Sequence, residues 1–170
     1  MKKPSNPQLA QTINRQAHML AAQSFASIRL TLEEKARPYP QSPSGMPGVQ
    51  TLLPLMLNHV HEGRLTLQRL IDLTSAGPQR IFNIRNKGRI ALGYDADFSV
   101  VDLKAKRTIT NEWMATKAGW TPYHGMEVTG WPVATIIRGS VVMRDGELLG
   151  RPDGAPVRFQ VGEPWWWIFP

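Results

Sequence analysis

The sequence contains no cysteine, which excludes disulfides, thiolate zinc sites and cysteine nucleophiles together. A reducing cytoplasm is compatible with that absence, and a cytoplasmic protein is the expectation. No apolar stretch approaches the roughly 20 residues that cross a bilayer, so no membrane partner is expected. Acid is scarce, with 13 Asp and Glu against 20 Lys and Arg for a formal net charge of +7, and the first carboxylate is Glu33. Met1-Lys2-Lys3 imitates the opening of a signal peptide, yet the mostly polar stretch from Pro4 to Gln16 supplies no apolar core for one. The basic, acid-poor start also has the composition of a transit peptide, against which Pro4 and Pro7 weigh. Blocks of about five or more like charges are missing too. Arg64, Arg69, Arg80, Arg85, Lys87 and Arg89 are interleaved with apolar and small residues. The positive charge therefore reads as solvated surface rather than a phosphate-tracking patch, and nucleic acid is not an expected partner.

What is present is a chain of 170 residues, 42% hydrophobic, enough for one ordinary domain with a core. It is too short for the roughly 250 residues of a typical (β/α)₈ barrel. Leu9, Ile13, Ala17, Leu20 and Ala21 recur at helical spacing and predict an amphipathic helix that ends before the stretch Phe25 to Leu30. Glu33 to Pro47 carries Pro38, Pro40, Pro43 and Gly45, which predicts an extended loop. A helix follows from Gly48 to His61, apolar on most of its circumference and so suited to an interior. Thr66 is the expected N-cap of a second helix with Leu67, Leu70, Ile71 and Leu73, stopped by Gly77. Pro78 then opens a short third helix as its first residue. From Lys87 onward the pattern turns to short β-rich runs. Asp97 to Leu103 is expected to pair with Lys106 to Thr110 across a tight turn, and Val133 to Arg138 with Val141 to Arg144 around Gly139. Asp145-Gly146 supplies a further hairpin turn into Glu147 to Leu149. The result is an α+β arrangement with a small sheet or sandwich beside helices. Trp165, Trp166 and Trp167 close an apolar tail of the kind that docks into a groove or a neighbour.

Four segments, in order, resemble one family. Thr31-Leu32-Glu33-Glu34-Lys35 leads through Pro38-Tyr39-Pro40 to Pro43-Ser44-Gly45-Met46-Pro47-Gly48. Leu73-Thr74-Ser75-Ala76-Gly77-Pro78 follows with Ile81-Phe82. Next is Lys87-Gly88-Arg89-Ile90-Ala91-Leu92-Gly93-Tyr94-Asp95-Ala96-Asp97. The fourth runs from Thr121-Pro122-Tyr123 and Gly125 through Thr129-Gly130-Trp131-Pro132-Val133 to Ile137-Arg138-Gly139 and Asp145-Gly146. From about Thr31 to Phe159 the chain resembles the C-terminal part of the dihydroorotases of the amidohydrolase superfamily. The third segment alone points only to the superfamily, which includes hydantoinases and allantoinases; the first and fourth favour dihydroorotase.

The resemblance implies helices from the end of an incomplete (β/α)₈ barrel, joined to a small β domain that the third segment enters as a hairpin. It implies the family's chemistry as well. Two zinc ions at the barrel's C-terminal face activate water for attack on the cyclic amide of dihydroorotate, giving carbamoyl aspartate in pyrimidine biosynthesis. Most zinc ligands in the family come from earlier strands. The last should precede Thr31, within a Ser-Asp-His-Ala-Pro-His stretch whose aspartate binds metal and shuttles the proton and whose final histidine helps hold substrate. Counting back from Thr31, Ala26 stands in the aspartate's place and Leu30 in the histidine's. Neither can do that chemistry, so the expectation is no metal in this chain, no catalytic residue and no turnover alone. The resemblance also implies that the loop of Ser44, Gly45, Met46, Pro47 and Gly48 lies over the substrate, glycine letting the main chain approach the ring. That is half of a pocket, and it leaves a small-molecule substrate doubtful for this chain by itself.

Other chemistry-bearing residues read as structural. His59-Val60-His61 has the spacing of the family's metal-binding His-x-His, but on a helix residues i and i+2 point about 200° apart. A solvent-facing helix end is expected instead, where His is favourably placed. Asp95-Ala96-Asp97 resembles a paired-carboxylate site and reads as turn chemistry. His124 is expected on the surface, and His18 has no nearby acid or second histidine. The expected organisation is a diverged helical segment over 1–30, a barrel remnant over 31–86, a small β domain over 87–160 and an apolar tail over 161–170. One N-terminal helix is a small cover for the apolar face of Gly48 to His61, so self-association or pairing with another chain is expected. The alternative function is a non-catalytic module that pairs with a complete amidohydrolase or a pathway partner such as a transcarbamoylase.

Overall fold

The computed structural model describes residues 31–150 and 154–160. The expected helix over Leu9 to Ala21, His18, the Ala26 and Leu30 positions and the Trp165-Trp166-Trp167 tail all lie outside the described residues. Within them no helix is long and apolar enough to cross a membrane.

The proline-bearing stretch is not loop throughout. Leu32–Lys35 forms one helical turn, α1. The Thr31 side chain accepts from the Glu34 backbone N–H at 3.2 Å, and the Glu34 carboxylate accepts from the Thr31 N–H at 2.9 Å. This reciprocal capping box holds a turn too short to persist otherwise. Helix α2, Leu52–His61, begins later than the expected Gly48. Gly48 contributes the first helical hydrogen bond, its carbonyl accepting from the Leu52 N–H at 3.1 Å. Pro54 is harmless in the first turn of α2, where no intrahelical partner awaits its missing N–H.

Gly77 does not stop the next helix. Leu67–Ile71 (α3) is capped by Thr66, whose side chain accepts from the Arg69 N–H. The chain then widens into a π-helical turn, Asp72–Ala76, and re-enters α-helix as α4, Gly77–Ile81. The Gly77 N–H reaches back five residues to the Asp72 carbonyl. Pro78 explains the detour: lacking an N–H and clashing with the carbonyl four residues before it, it cannot continue a tight α register.

The described strands form one antiparallel sheet in sequential order, with no sandwich partner among these residues: β1 (Phe98–Thr108), β2 (Glu127–Ile137), β3 (Ser140–Arg144) and β4 (Glu147–Leu148). The expected hairpin between Asp97–Leu103 and Lys106–Thr110 is instead a single bent strand. Asp102 accepts from the Lys104 and Ala105 N–H groups at 2.8 and 3.2 Å. That loop of side-chain bonds makes a bulge, not a reversal, so both halves of β1 pair with β2: Asp102 lies opposite Trp131 and Lys106 opposite Thr129. Pro132 is tolerated in β2 because it sits at a second register shift and outside the β3 ladder, which starts at Ala134. The two tight turns do form as expected, with Arg138-Gly139 and Asp145-Gly146 all at positive φ. The Lys87–Asp97 segment contains no paired strand. It is a turn-rich loop pinched shut by the Asp95 N–H donating to the Asn86 carbonyl at 2.9 Å.

Helix α2 lies across β2. Leu55, Met56 and Leu57 of α2 pack with Leu65, Leu70, Val128 and Ile109, and Ile109 is fully buried. Gly130 lets them meet, since a Cβ there would lie 2.5 Å from the Leu57 Cβ. Asn58, also buried, accepts from the Thr129 N–H at 2.9 Å and thereby fixes where the helix sits along the strand.

Candidate functional site

The loop before α2 is shaped by its own hydrogen bonds. Lys35 Nζ donates to the Pro43 carbonyl at 2.7 Å, and Ser42 Oγ donates to the Lys35 carbonyl at 3.1 Å. Gly45 turns the chain at φ 90°, a left-handed conformation that a side chain would strain. The chain then enters the protein at Pro47 and Gly48, both buried. These two, with Val49 and Gln50, face Met114, Thr116, Lys117 and Ala118 across a cavity of about 390 Å³. Of the five residues expected over a substrate, Pro47 and Gly48 therefore line a cavity. Ser44, Gly45 and Met46 do not line it, and Ser44 is exposed.

Gln50 holds the two walls in register. Its Nε2 donates to the Trp113 carbonyl and its Oε1 accepts from the Ala115 N–H, both at 2.8 Å. Behind the second wall Trp113 packs on Trp131 with ring centroids 4.4 Å apart. The cavity presents a largely apolar surface with a hydroxyl at Thr116 and an ammonium at Lys117. Such a lining can hold and orient a small ring; it contains no acid or base pair for proton transfer.

Sequence reasoning did not find Gln50, Met114, Thr116 or Lys117. Gln50 and its partners are 63 and 65 residues apart, and no local spacing announces such a pairing.

The decoys resolve structurally. His59 and His61 both end α2. His61 is exposed, as expected. His59 is largely covered, its Nδ1 3.7 Å from Glu62 Oε2. Asp95 and Asp97 converge on one ammonium: Lys87 Nζ lies 2.8 Å from Asp95 Oδ2 and also pairs with Asp97. Asp97 accepts in addition from the Arg138 N–H at 2.7 Å. The Lys87 amine is held above its ordinary range by its hydrogen bonds to Asp95 and then Asp97. Burial pushes the Asp97 carboxyl up, but the Lys87 hydrogen bond and the Arg138 N–H outweigh it and leave the carboxyl below the usual range. These acids brace a loop. His124 is on the surface, where its Nδ1 accepts from the Asn111 N–H at 3.0 Å. Among the described residues no three His, Asp or Glu side chains come together in a group that could hold a metal ion.

Against known proteins, the amidohydrolase family pattern matches residues 45–142, more than half of the chain. The dihydroorotase of Pyrococcus furiosus is 45% identical over 124 residues, 73% of this chain and 29% of that protein. The dihydroorotase of Methanothermobacter thermautotrophicus is 45% identical over 118 residues, 69% of this chain and 27% of the relative. Among solved structures, the L-hydantoinase (dihydropyrimidinase) of Arthrobacter aurescens superposes with a TM-score of 0.62 at 37% identity, covering 65% of this chain and 25% of that one. A D-hydantoinase (dihydropyrimidinase) from Thermus sp. gives a TM-score of 0.67 at 27% identity, with 80% and 32% covered. The chain thus spans under a third of the length of these relatives.

Proposed function

The chain belongs to the amidohydrolase family, and from that premise we propose that residues 31–159 are the C-terminal portion of a dihydroorotase-type cyclic amidohydrolase, the part that covers the ring rather than the part that carries the metal. In this reading α2 to α4 are the helices that close a (β/α)₈ barrel, the sheet is the small β domain, and 31–86 and 87–160 are their respective territories. The observation that carries the reading is the cavity walled by Pro47 and Gly48. The loop that the family resemblance assigns to the substrate reaches, in this chain, a space with a largely apolar lining.

The division of labour follows from the side chains. Pro47 and Gly48 form one wall of the space, while the Gln50 clamp keeps the opposing wall from drifting. Water activation belongs to zinc bound elsewhere in a complete family member, because Ala26 and Leu30 occupy the places of the last carboxylate and imidazole. The isolated chain accordingly hydrolyses no cyclic amide.

A chimera tests this. Residues 31–159 replace the matching part of the Pyrococcus furiosus dihydroorotase, and zinc content and hydrolysis of dihydroorotate and hydantoin are measured. Dihydroorotate turnover by the zinc-loaded chimera is the expected result. A folded, zinc-loaded chimera that opens only hydantoin would move the assignment to the hydantoinase branch of the family. Two zinc ions and turnover in the unmodified 170-residue chain would overturn the inactivity.

Exposed apolar side chains favour a second reading, a non-catalytic module that pairs with another chain. Ile90, Leu92, Phe82 and Phe159 all face solvent. Retention of a complete amidohydrolase on the immobilised chain would support it, and no retention at micromolar concentration would remove it.

A further inference from the structure

A second cavity, of about 230 Å³, lies away from the Pro47–Gly48 loop, among Arg85, Asn86, Lys87, Asp95, Arg138 and the segment ending at Arg158. Four of its nine lining residues are cationic. Lys87 is already engaged by Asp95 and Asp97. Setting those two carboxylates against Lys87 and three guanidiniums leaves the cluster with a net charge of +2. Asp95 is the only acid in the wall among the described residues, and it faces the Lys87 ammonium.

The arginines are held by backbone. Ile84 and Phe159 form an antiparallel bridge, and the Arg85 N–H donates to the Arg158 carbonyl at 2.8 Å. Arg85 and Arg158 are therefore cross-strand neighbours, and neither side chain has an ion-pair partner among the described residues. Like charges so arranged repel unless an anion lies between them. Arg138 comes from the β2–β3 turn, whose position is fixed by its own N–H on Asp97 and by the Gly139 N–H on the Ala96 carbonyl at 2.9 Å.

The geometry points to an oxyanion site: a phosphate group, as inorganic phosphate, diphosphate or the phosphate end of a small phosphoester, binds between Arg85, Arg138 and Arg158. Guanidinium forks match tetrahedral oxyanions with paired charge-assisted hydrogen bonds. The cavity is smaller than the roughly 300–1,000 Å³ of sites for drug-sized ligands, which suits the anionic group rather than a whole nucleotide. The inference is independent of the cyclic-amide reading, since the two cavities share no residue.

The test is a titration of the 170-residue chain with sodium diphosphate, followed by calorimetry and by amide chemical shifts. Saturable one-site binding is expected, with shifts at Arg85, Asn86, Gly139 and Arg158. Arg85→Gln and Arg158→Gln should each weaken it about tenfold, as loss of hydrogen bonds to a charged group does. Arg64→Gln, which removes one partner of Glu62 elsewhere on the surface, should leave it unchanged. Absence of saturation overturns the site, as do shifts spread over the surface or equal weakening by Arg64→Gln. If either cavity variant unfolds, the wild-type shift map alone decides. An oligonucleotide that binds tighter than diphosphate, with shifts outside the cavity, would mean a diffuse nucleic-acid surface and would likewise overturn it.

Discussion

At Gly130 two requirements fall on one residue. Its φ is +102°, and an added Cβ would sit 2.5 Å from the Leu57 Cβ, closer than any carbon pair tolerates. Gly130→Ala must therefore either lift α2 off β2 or twist the strand. The expected cost is about 2–4 kcal/mol, combining overpacking with left-handed strain. Urea unfolding should show the midpoint falling with an unchanged slope. Lys87 poses an electrostatic counterpart. The Asp97 carboxyl lies below its ordinary value of 3.8, because the Lys87 hydrogen bond and the Arg138 N–H outweigh burial. Its contribution to stability is present above that value and is lost as pH falls through the lower folded value. The Lys87 amine lies above its ordinary value of 10.5 through its bonds to Asp95 and Asp97. That contribution is present below 10.5 and is lost as pH rises through the folded value. Lys87→Met should lower stability at neutral pH and remove the alkaline loss, with a shallower acid loss. Thermal melts between pH 3 and 11 read both arms, and a variant whose profile parallels the wild type would refute the pairing.

Among the elements, the π-turn shows how much the sequence discloses. Thr66 as N-cap and Pro78 as the first residue of a new helical segment are legible, because capping and the missing proline N–H act within a few residues. The continuation through Gly77 is not, since glycine after a periodic run has the same local signature whether it ends a helix or stays inside one. Widening of the turn ahead of Pro78 settles it, and Asp72 at its start is paired with Arg69 at 2.7 Å and Arg80 at 2.6 Å. The same limit hid the bent β1: Lys104-Ala105, between the two apolar runs, looks like a hairpin turn until the partner strand is known to run past both halves. At the candidate site, the family resemblance drew attention to Ser44 through Gly48, but the opposing wall is joined to the residues just before α2 by long-range bonds from Gln50. A substitution separates a π-turn from a plain helix. Alanine in place of a helical glycine ordinarily stabilises by about 1 kcal/mol. At Gly77 its Cβ would meet the Asp72 carbonyl oxygen at 2.4 Å, so Gly77→Ala should destabilise instead, by about 1–3 kcal/mol. A rise in the urea midpoint would show that the segment is ordinary α-helix.

On the scale of the whole molecule, the core is concentrated where α2 crosses β2, and the loop between Lys87 and Asp97 leaves apolar groups in water. Leu92 is fully exposed and Ile90 is 87% exposed, on a loop whose ends are pinned by the Asp95 N–H on Asn86 and by Lys87 on its two carboxylates. A pinned loop that displays leucine and isoleucine is better suited to contact than a floppy one, because less side-chain and backbone freedom is lost when it docks. The net charge of +7 opposes contact between copies, and salt screens that repulsion without weakening apolar burial. These two facts make the direction of the test unambiguous. We expect the mass measured by light scattering to rise with protein concentration and to rise further as salt is added. Ile90→Glu with Leu92→Glu should return it to one chain while leaving the unfolding midpoint unchanged, since neither side chain contributes to the core. A single-chain mass at every concentration and salt level would eliminate self-association through this loop.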